Sequence, residues 1–200
     1  MDAQLKNHKF TYPVLVAVAA LALAGCSTAG PGGAESNPPT ASASTSATQA
    51  NAADAMFAAG MAEHHQQALD MSQIVLQADG TDERVRALAD KIAAAQGPEI
   101  AQMKQWMQDW DQSMESMDHS EMGHSGMIPE QETQRLAKAQ GDELNRLFLE
   151  QMIRHHEGAV KMAQKELDEG QHAEALALAQ KIIDSQRDEI DEMKQLLESL

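Results

Sequence analysis

The chain has 200 residues, a formal net charge of −16, and 42% hydrophobic but only 3% aromatic side chains. That length allows one or two domains, and an apolar complement drawn mostly from Ala, Leu and Met favours helices over a β-sandwich. The acidity excludes nucleic acid as a partner, because binding a phosphate backbone needs a basic face; it reads as a solvated surface that keeps the protein soluble.

Lys6, His8 and Lys9 make a weakly basic start, and Val14 to Ala24 a short apolar run. The run falls short of the about 20 apolar residues that a spanning helix needs and has the length of a secretory signal core. It closes on Leu23-Ala24-Gly25-Cys26, which resembles a bacterial lipoprotein signal, whose lipobox ends in an acylated cysteine. The resemblance implies that residues 1–25 are removed and that Cys26 becomes a lipidated N-terminus. The expected location is extracytoplasmic, with Cys26 anchoring the protein to the envelope membrane. Cys26 is the only cysteine, so no intramolecular disulfide can form. Residues 26–53, rich in Ala, Ser, Thr and Pro, bury too little to offset the entropy of ordering and read as a flexible tether.

From Asp54 the pattern becomes helical and repeats itself. Met61-Ala-Glu-His64-His65 with Met71 returns as Met152-Ile-Arg-His155-His156 with Met162, an offset of 91 (152 − 61 and 162 − 71). Glu99-Ile100-Ala-Gln-Met103-Lys104 returns as Glu189-Ile190-Asp-Glu-Met193-Lys194, an offset of 90 (189 − 99). The first helix is expected from Asp54, its N-cap, to Gln77, with a stripe of Phe57, Met61, His64, Ala68, Met71 and Val75. Asp79-Gly80 breaks it, and Thr81 or Asp82 caps the second, whose stripe runs Val85, Leu88, Ile92, Gln96, Glu99, Met103, Trp106 and Trp110. Gly97-Pro98 lies inside that helix and is expected to kink or break it. A short lead-in over Glu130–Gln140 precedes the third helix, striped by Phe148, Met152, His155, Ala159 and Met162. After Glu169-Gly170 the fourth carries Leu176, Ala179, Ile183, Gln186, Glu189, Met193 and Leu197.

Neither hairpin can cover its own apolar stripe, so the two should pack together. The expected fold is all-α: a four-helix bundle over 54–200, with a pseudo-two-fold axis relating two helical hairpins. Met61, Met71, Met103, Met152, Met162 and Met193 fill such a core as ordinary packing residues or serve as thioether ligands. His64 and His155 fall on the buried stripe, with Gln96, Glu99, Gln186 and Glu189 on the partner helices. Such polar groups are costly to bury unless they pair with one another or bind something. Two readings stay open here: a hydrogen-bonded His–Glu layer, or metal ligation with Gln and Glu outside the ligands. His65 and His156 lie about 100° round the helix, towards a flank, where they would complete a site or face water.

The linker at 113–129 bears on the choice. Met114, Met117, His119, Met122, His124 and Met127 interleave there without a helical stripe. A loop offers methionine no core, whereas mobile thioethers and imidazoles suit a soft ion such as Cu(I). The run resembles the Met/His-rich segments of bacterial periplasmic copper-resistance proteins.

The doubled motif as a whole, Met-x-x-His-His-x-x-Ala-x-x-Met closed by Glu-Ile-x-x-Met-Lys, resembles the family called domain of unknown function 305. The resemblance covers Asp54 to the C-terminus and implies a ferritin-like helical bundle outside the cytoplasm, with copper binding or tolerance in some members. It carries onto Met61, His64, His65, Ala68 and Met71, their copies Met152, His155, His156, Ala159 and Met162, and the two closing segments. Three functions compete. The favoured one is a Cu(I)-binding buffer, chaperone or tolerance protein, with a copper-handling protein as a possible partner. A di-iron oxidase would need Glu-x-x-His on two helices, but Met61 and Met152 stand where those glutamates belong. Glu121 and His124 have the spacing, yet sit in the glycine-containing linker without a copy. The third is a non-metal interaction module. No catalytic constellation emerges, so the chain is not expected to be an enzyme.

Overall fold

The computed structural model describes residues 49–111 and 125–200. Five helices account for most of them, and no strand occurs among the described residues: α1 (Ala52–Gln77), α2 (Glu83–Asp109), α3 (Glu130–Lys138), α4 (Gly141–Glu169) and α5 (Ala173–Ser199). The four long helices form two hairpins, α1 with α2 and α4 with α5, which dock through α1 against α4. The short α3 matches the expected lead-in but ends two residues earlier, at Lys138. The signal segment, most of the tether, Cys26 and linker residues Met114, Met117, His119, Met122 and His124 lie outside the described residues.

Asp54 does not cap α1. Asn51 does, accepting from the Asp54 backbone N–H at 2.9 Å, while the Asp54 carboxylate reaches back to the Asn51 N–H at 2.7 Å. This reciprocal capping box satisfies two orphan donors of the first turn. The remaining Asp54 oxygen crosses to the other hairpin and accepts from the N–H groups of Gln171 and His172, at 3.0 and 2.9 Å, where α5 begins. The pseudo-two-fold copy of that crossing is Asn145 (54 + 91), whose Oδ1 accepts from Asp82 N–H at 3.2 Å at the start of α2. Each hairpin thus holds the turn of the other.

The α2 helix runs unbroken through Gly97-Pro98. Pro98 is exposed, so its missing N–H costs one hydrogen bond on the solvent side. The flanking buried residues Ile92, Gln96, Glu99 and Ile100 keep the opposite face in the core. On α5 the expected stripe is buried at Ala179, Ile183, Gln186, Glu189 and Met193 and is widened by Ala175, Leu178 and Ile182, whereas Leu176 and Leu197 are only half-buried. Trp110, expected on the α2 stripe, is half-buried and stacks on the buried Trp106, with ring centroids 5.7 Å apart.

A run of small residues on α1, Ala55, Ala58, Ala59 and Ala62, is buried, as are Gly158, Ala159 and Ala163 on α4. Small side chains permit the close approach of α1 to α4. Larger ones fill the two ends. One core cluster gathers Phe57, Met61, Met103, Trp106 and Ile183; the other gathers Met71, Val75, Leu88, Ile92, Phe148 and Met152. Full burial of each Met, Leu or Phe side chain contributes about 1.5–3 kcal/mol.

Candidate metal centre

Between these apolar clusters lies a polar layer built from both copies of the repeat. His64 and His155 come from α1 and α4, and their rings meet across the seam with centroids 3.7 Å apart and planes inclined by 36°. Both are buried, as the stripe predicted. His65 and His156 are also fully buried, contrary to the expectation that they lie on a flank. The reason is geometric: α1 is covered by both α2 and α4, and α4 by both α5 and α1, so a wide arc of each helix is enclosed.

Each of these second histidines is held within its own hairpin. His65 Nε2 lies 2.9 Å from Glu99 Oε2, and His156 Nε2 lies 2.9 Å from Glu189 Oε2. An ionised carboxylate only accepts, so Nε2 is the donor in both pairs. Each carboxylate also faces a lysine of the opposite hairpin: Glu99 with Lys181 at 3.1 Å, and Glu189 with Lys91 at 4.0 Å. Burial pushes the Glu99 carboxyl up, but hydrogen bonds from His65 and Lys181 outweigh it and hold the group below its usual range. The Lys–Glu–His chains tie the surface of one hairpin to the core of the other.

His64 and His155 are treated differently. His64 Nε2–H donates to the Ser125 carbonyl at 3.1 Å, leaving Nδ1 without a partner. His155 has no hydrogen bond at either ring nitrogen; the His64 backbone is close enough to polarise the ring but is not placed to bond it. Burial, reinforced by the neighbouring His65 and His156, drives the His64 pKa down to about 3. Burial and the adjacent His64, His156 and His65 likewise hold His155 far below its ordinary range. Burial lowers His156 too, against the opposing pull of Glu189. His64, His155 and His156 are therefore neutral at pH 7, with lone pairs turned into the core. Nδ1 of His65 and His156 is likewise without a partner.

The thioethers surround this layer. Met61, Met103 and Met162 belong to one core cluster and Met71, Met152 and Met193 to the other. Each trio takes two methionines from one hairpin and the third from its partner. Gln96 is buried with neither amide atom hydrogen-bonded, and Gln186 with its carbonyl oxygen unpaired. Among the described residues, no three His, Cys, Asp or Glu side chains converge as a ready cage for an ion. The donors on offer are thus mainly neutral imidazole and thioether, which suit a soft monovalent ion rather than the carboxylate-hungry iron pair.

Five residues beside the site, Gln67, Ser125, Gly126, Ile128 and Gly158, went unpredicted. Gln67 grips Ile128 at both backbone groups: its amide donates to the Ile128 carbonyl at 2.9 Å, and its carbonyl accepts from Ile128 N–H at 2.7 Å. Gly158 lets the Ser125-Gly126 backbone pass directly over α4. Met127, a predicted ligand, is half-buried in this strap. The sequence does carry a signal for the strap's seat, since Gln67 and Gly158 occupy equivalent repeat positions (67 + 91 = 158) and do not match.

Comparison with known proteins agrees with this architecture. The family model for domain of unknown function 305 matches residues 54–197. A protein of that family described as secreted, from Streptomyces coelicolor, is 35% identical with a TM-score of 0.69, over 74% of this chain and 91% of its own. A fragment from Deinococcus radiodurans is 34% identical with a TM-score of 0.68, over 76% of this chain and 99% of its own. CopM in its Cu(I)-bound form is 33% identical with a TM-score of 0.59, over 73% of this chain and 96% of its own. CopM has also been solved with Cu(II) and with silver. A comparison with curated proteins returned no match. The chain belongs to the domain of unknown function 305 family.

Proposed function

We propose that this protein binds Cu(I) in the cell envelope through its Met/His layer and holds it as a buffer or chaperone. The observation that carries the reading is the His64–His155 contact. Two neutral imidazoles meet in the core with three ring nitrogens unpartnered, between two trios of thioethers. Leaving buried polar groups unpaired costs about 1–3 kcal/mol each. Such a cost is expected where a site is kept ready for a ligand. Copper and silver in structures of CopM support the same ion class.

The ligands in this reading are His64, His155 and the flanking Met61, Met152, Met103, Met193, Met71 and Met162. His65 and His156 present Nδ1 while Glu99 and Glu189 fix their rings, an arrangement that raises ligand basicity. The linker residues Met117, His119, Met122, His124 and Met127 would capture ions and deliver them. Lipidation at Cys26 would keep the bundle at the membrane, and a copper-handling protein would receive the cargo. The function is binding, not catalysis.

A purely hydrogen-bonded polar layer has one observation in its favour, the paired His65–Glu99 and His156–Glu189. It leaves both ring nitrogens of His155 and Nδ1 of His64 unexplained, because none of the three has a hydrogen-bond partner. Anaerobic Cu(I) titration against a chromophoric chelator tests the proposal. The chain should withdraw Cu(I) from the chelator, and His64→Leu/His155→Leu should weaken that withdrawal at least tenfold. Equal competition by the double variant would refute the assignment to the core.

A further inference from the structure

The two copies of the motif differ at the position that the Ser125–Ile128 strap touches in each of them. Gln67 on α1 and Gly158 on α4 are equivalent in the repeat, and both touch the strap, which therefore lies across the pseudo-two-fold axis. A single chain crossing such an axis cannot serve both halves alike. Gln67 seats it on one side by bonding both backbone groups of Ile128. Gly158 makes room on the other: a Cβ there would drive into the Ser125 carbonyl. Gly126 adopts a φ of +82°, and a Cβ on it would come within 2.6 Å of the Gly158 Cα. Two glycines are thus required for backbone to pass over backbone, and the result is one carbonyl, that of Ser125, aimed at one histidine, His64.

We propose that the Ser125–Ile128 strap is a positioning element that makes His64 and His155 unequal ligands for a soft metal ion. By accepting Nε2–H, the Ser125 carbonyl selects the His64 tautomer whose bare donor is Nδ1 and holds the ring in one orientation. His155, bonded at neither nitrogen, keeps both tautomers and must be ordered when it binds. A ring donating its second nitrogen to a carbonyl is the arrangement that orients histidine for a metal. His64 Nδ1 takes the first ion and His155 joins later or more weakly. This ranking rests on the reading that the layer binds a soft metal.

The test is two-bond ¹H–¹⁵N spectroscopy of the full chain with ¹⁵N-labelled histidine, first without metal and then with sub-stoichiometric Ag(I). Without metal, His64 is expected as the pure Nε2–H tautomer and His155 as an average of both. Ag(I) should shift His64 Nδ1 before His155. Gly158→Ala should lift the strap, average the His64 tautomer and abolish the order of binding, with about a tenfold or greater loss in first-step affinity. Gln67→Leu, which leaves the packing at Gly158 untouched, should act in the same direction. An averaged His64 in the unaltered chain, or both variants retaining its tautomer and the order of binding, overturns the strap's role. Ag(I) that shifts neither ring while the metal-free tautomers are as stated defeats the metal reading instead, and the ranking with it.

Discussion

His64 and His155 meet ring to ring at 3.7 Å, each contributed by a different hairpin, and no hydrogen bond joins them. Packing alone would favour apolar side chains at this point, since an unpaired buried nitrogen gains nothing from the core. Replacing His155 by Leu should therefore raise the stability of the metal-free protein by about 1–2 kcal/mol, the order of the desolvation penalty relieved. Urea denaturation reads this directly. A fall in stability would mean that the imidazole is structurally satisfied, as in a purely structural layer.

Glu99 and Glu189 should behave oppositely to His155. Each closes a chain from a buried histidine to a lysine of the other hairpin. Glu99→Ala strands the His65 donor in the core and should cost about 1–3 kcal/mol. Glu99→Gln retains an acceptor and should cost less. Chemical denaturation of the two variants side by side checks the order.

Asp54 and Asn145 offer a test of the pseudo-symmetry. Asp54 accepts from three backbone N–H groups, those of Asn51, Gln171 and His172, while Asn145 accepts from that of Asp82 at the start of α2. Loss of a capping side chain costs about 0.5–2 kcal/mol, and loss of buried acceptors adds to it. Asp54→Ala should therefore destabilise the protein more than Asn145→Ala, by thermal denaturation. Equal losses would show that the crossing bonds contribute little.

The pH profile follows from Glu166, which is buried against Asp54. Burial, with the neighbouring Asp54 carboxylate, pushes Glu166 from 4.5 up to about 9. The folded state thus binds a proton that the unfolded chain releases above 4.5, so this group's contribution is complete below 4.5 and disappears as pH rises towards 9. Glu166→Gln should flatten that alkaline decline in melting temperature. His64 acts on the acid side with the opposite sign. Its depressed pKa of about 3, against 6.5 when unfolded, makes its contribution complete above 6.5 and lost as pH falls towards 3. His64→Leu should shallow the acid limb. Unchanged limbs in these two variants would contradict the assigned protonation states.

Much of this molecule was legible in the repeat. The 91-residue offset placed His64 and His155 on facing seams and gave the two hairpins (155 − 64). A one-stripe reading of each helix could not see that α1 and α4 are enclosed on two sides, and so it put His65 and His156 on a flank. It placed the cap on Asp54 because a capping box and a simple N-cap share the same residue types; only the fold shows that Asn51 caps and Asp54 also crosses to α5. The Lys–Glu contacts between hairpins have no local periodicity and appear only on docking. The strap's seat was written in the mismatch of Gln67 and Gly158, but a mismatch acquires meaning only once a third segment is seen to lie on it.

In the proposed function the core layer, with both imidazole and thioether, holds the ion. X-ray absorption at the copper edge, on the chain loaded with one equivalent of Cu(I), tests it most directly. The first shell is expected to contain both nitrogen and sulfur, with the nitrogen component reduced in His64→Leu/His155→Leu. A shell of sulfur alone, or one unchanged by that double substitution, would contradict it.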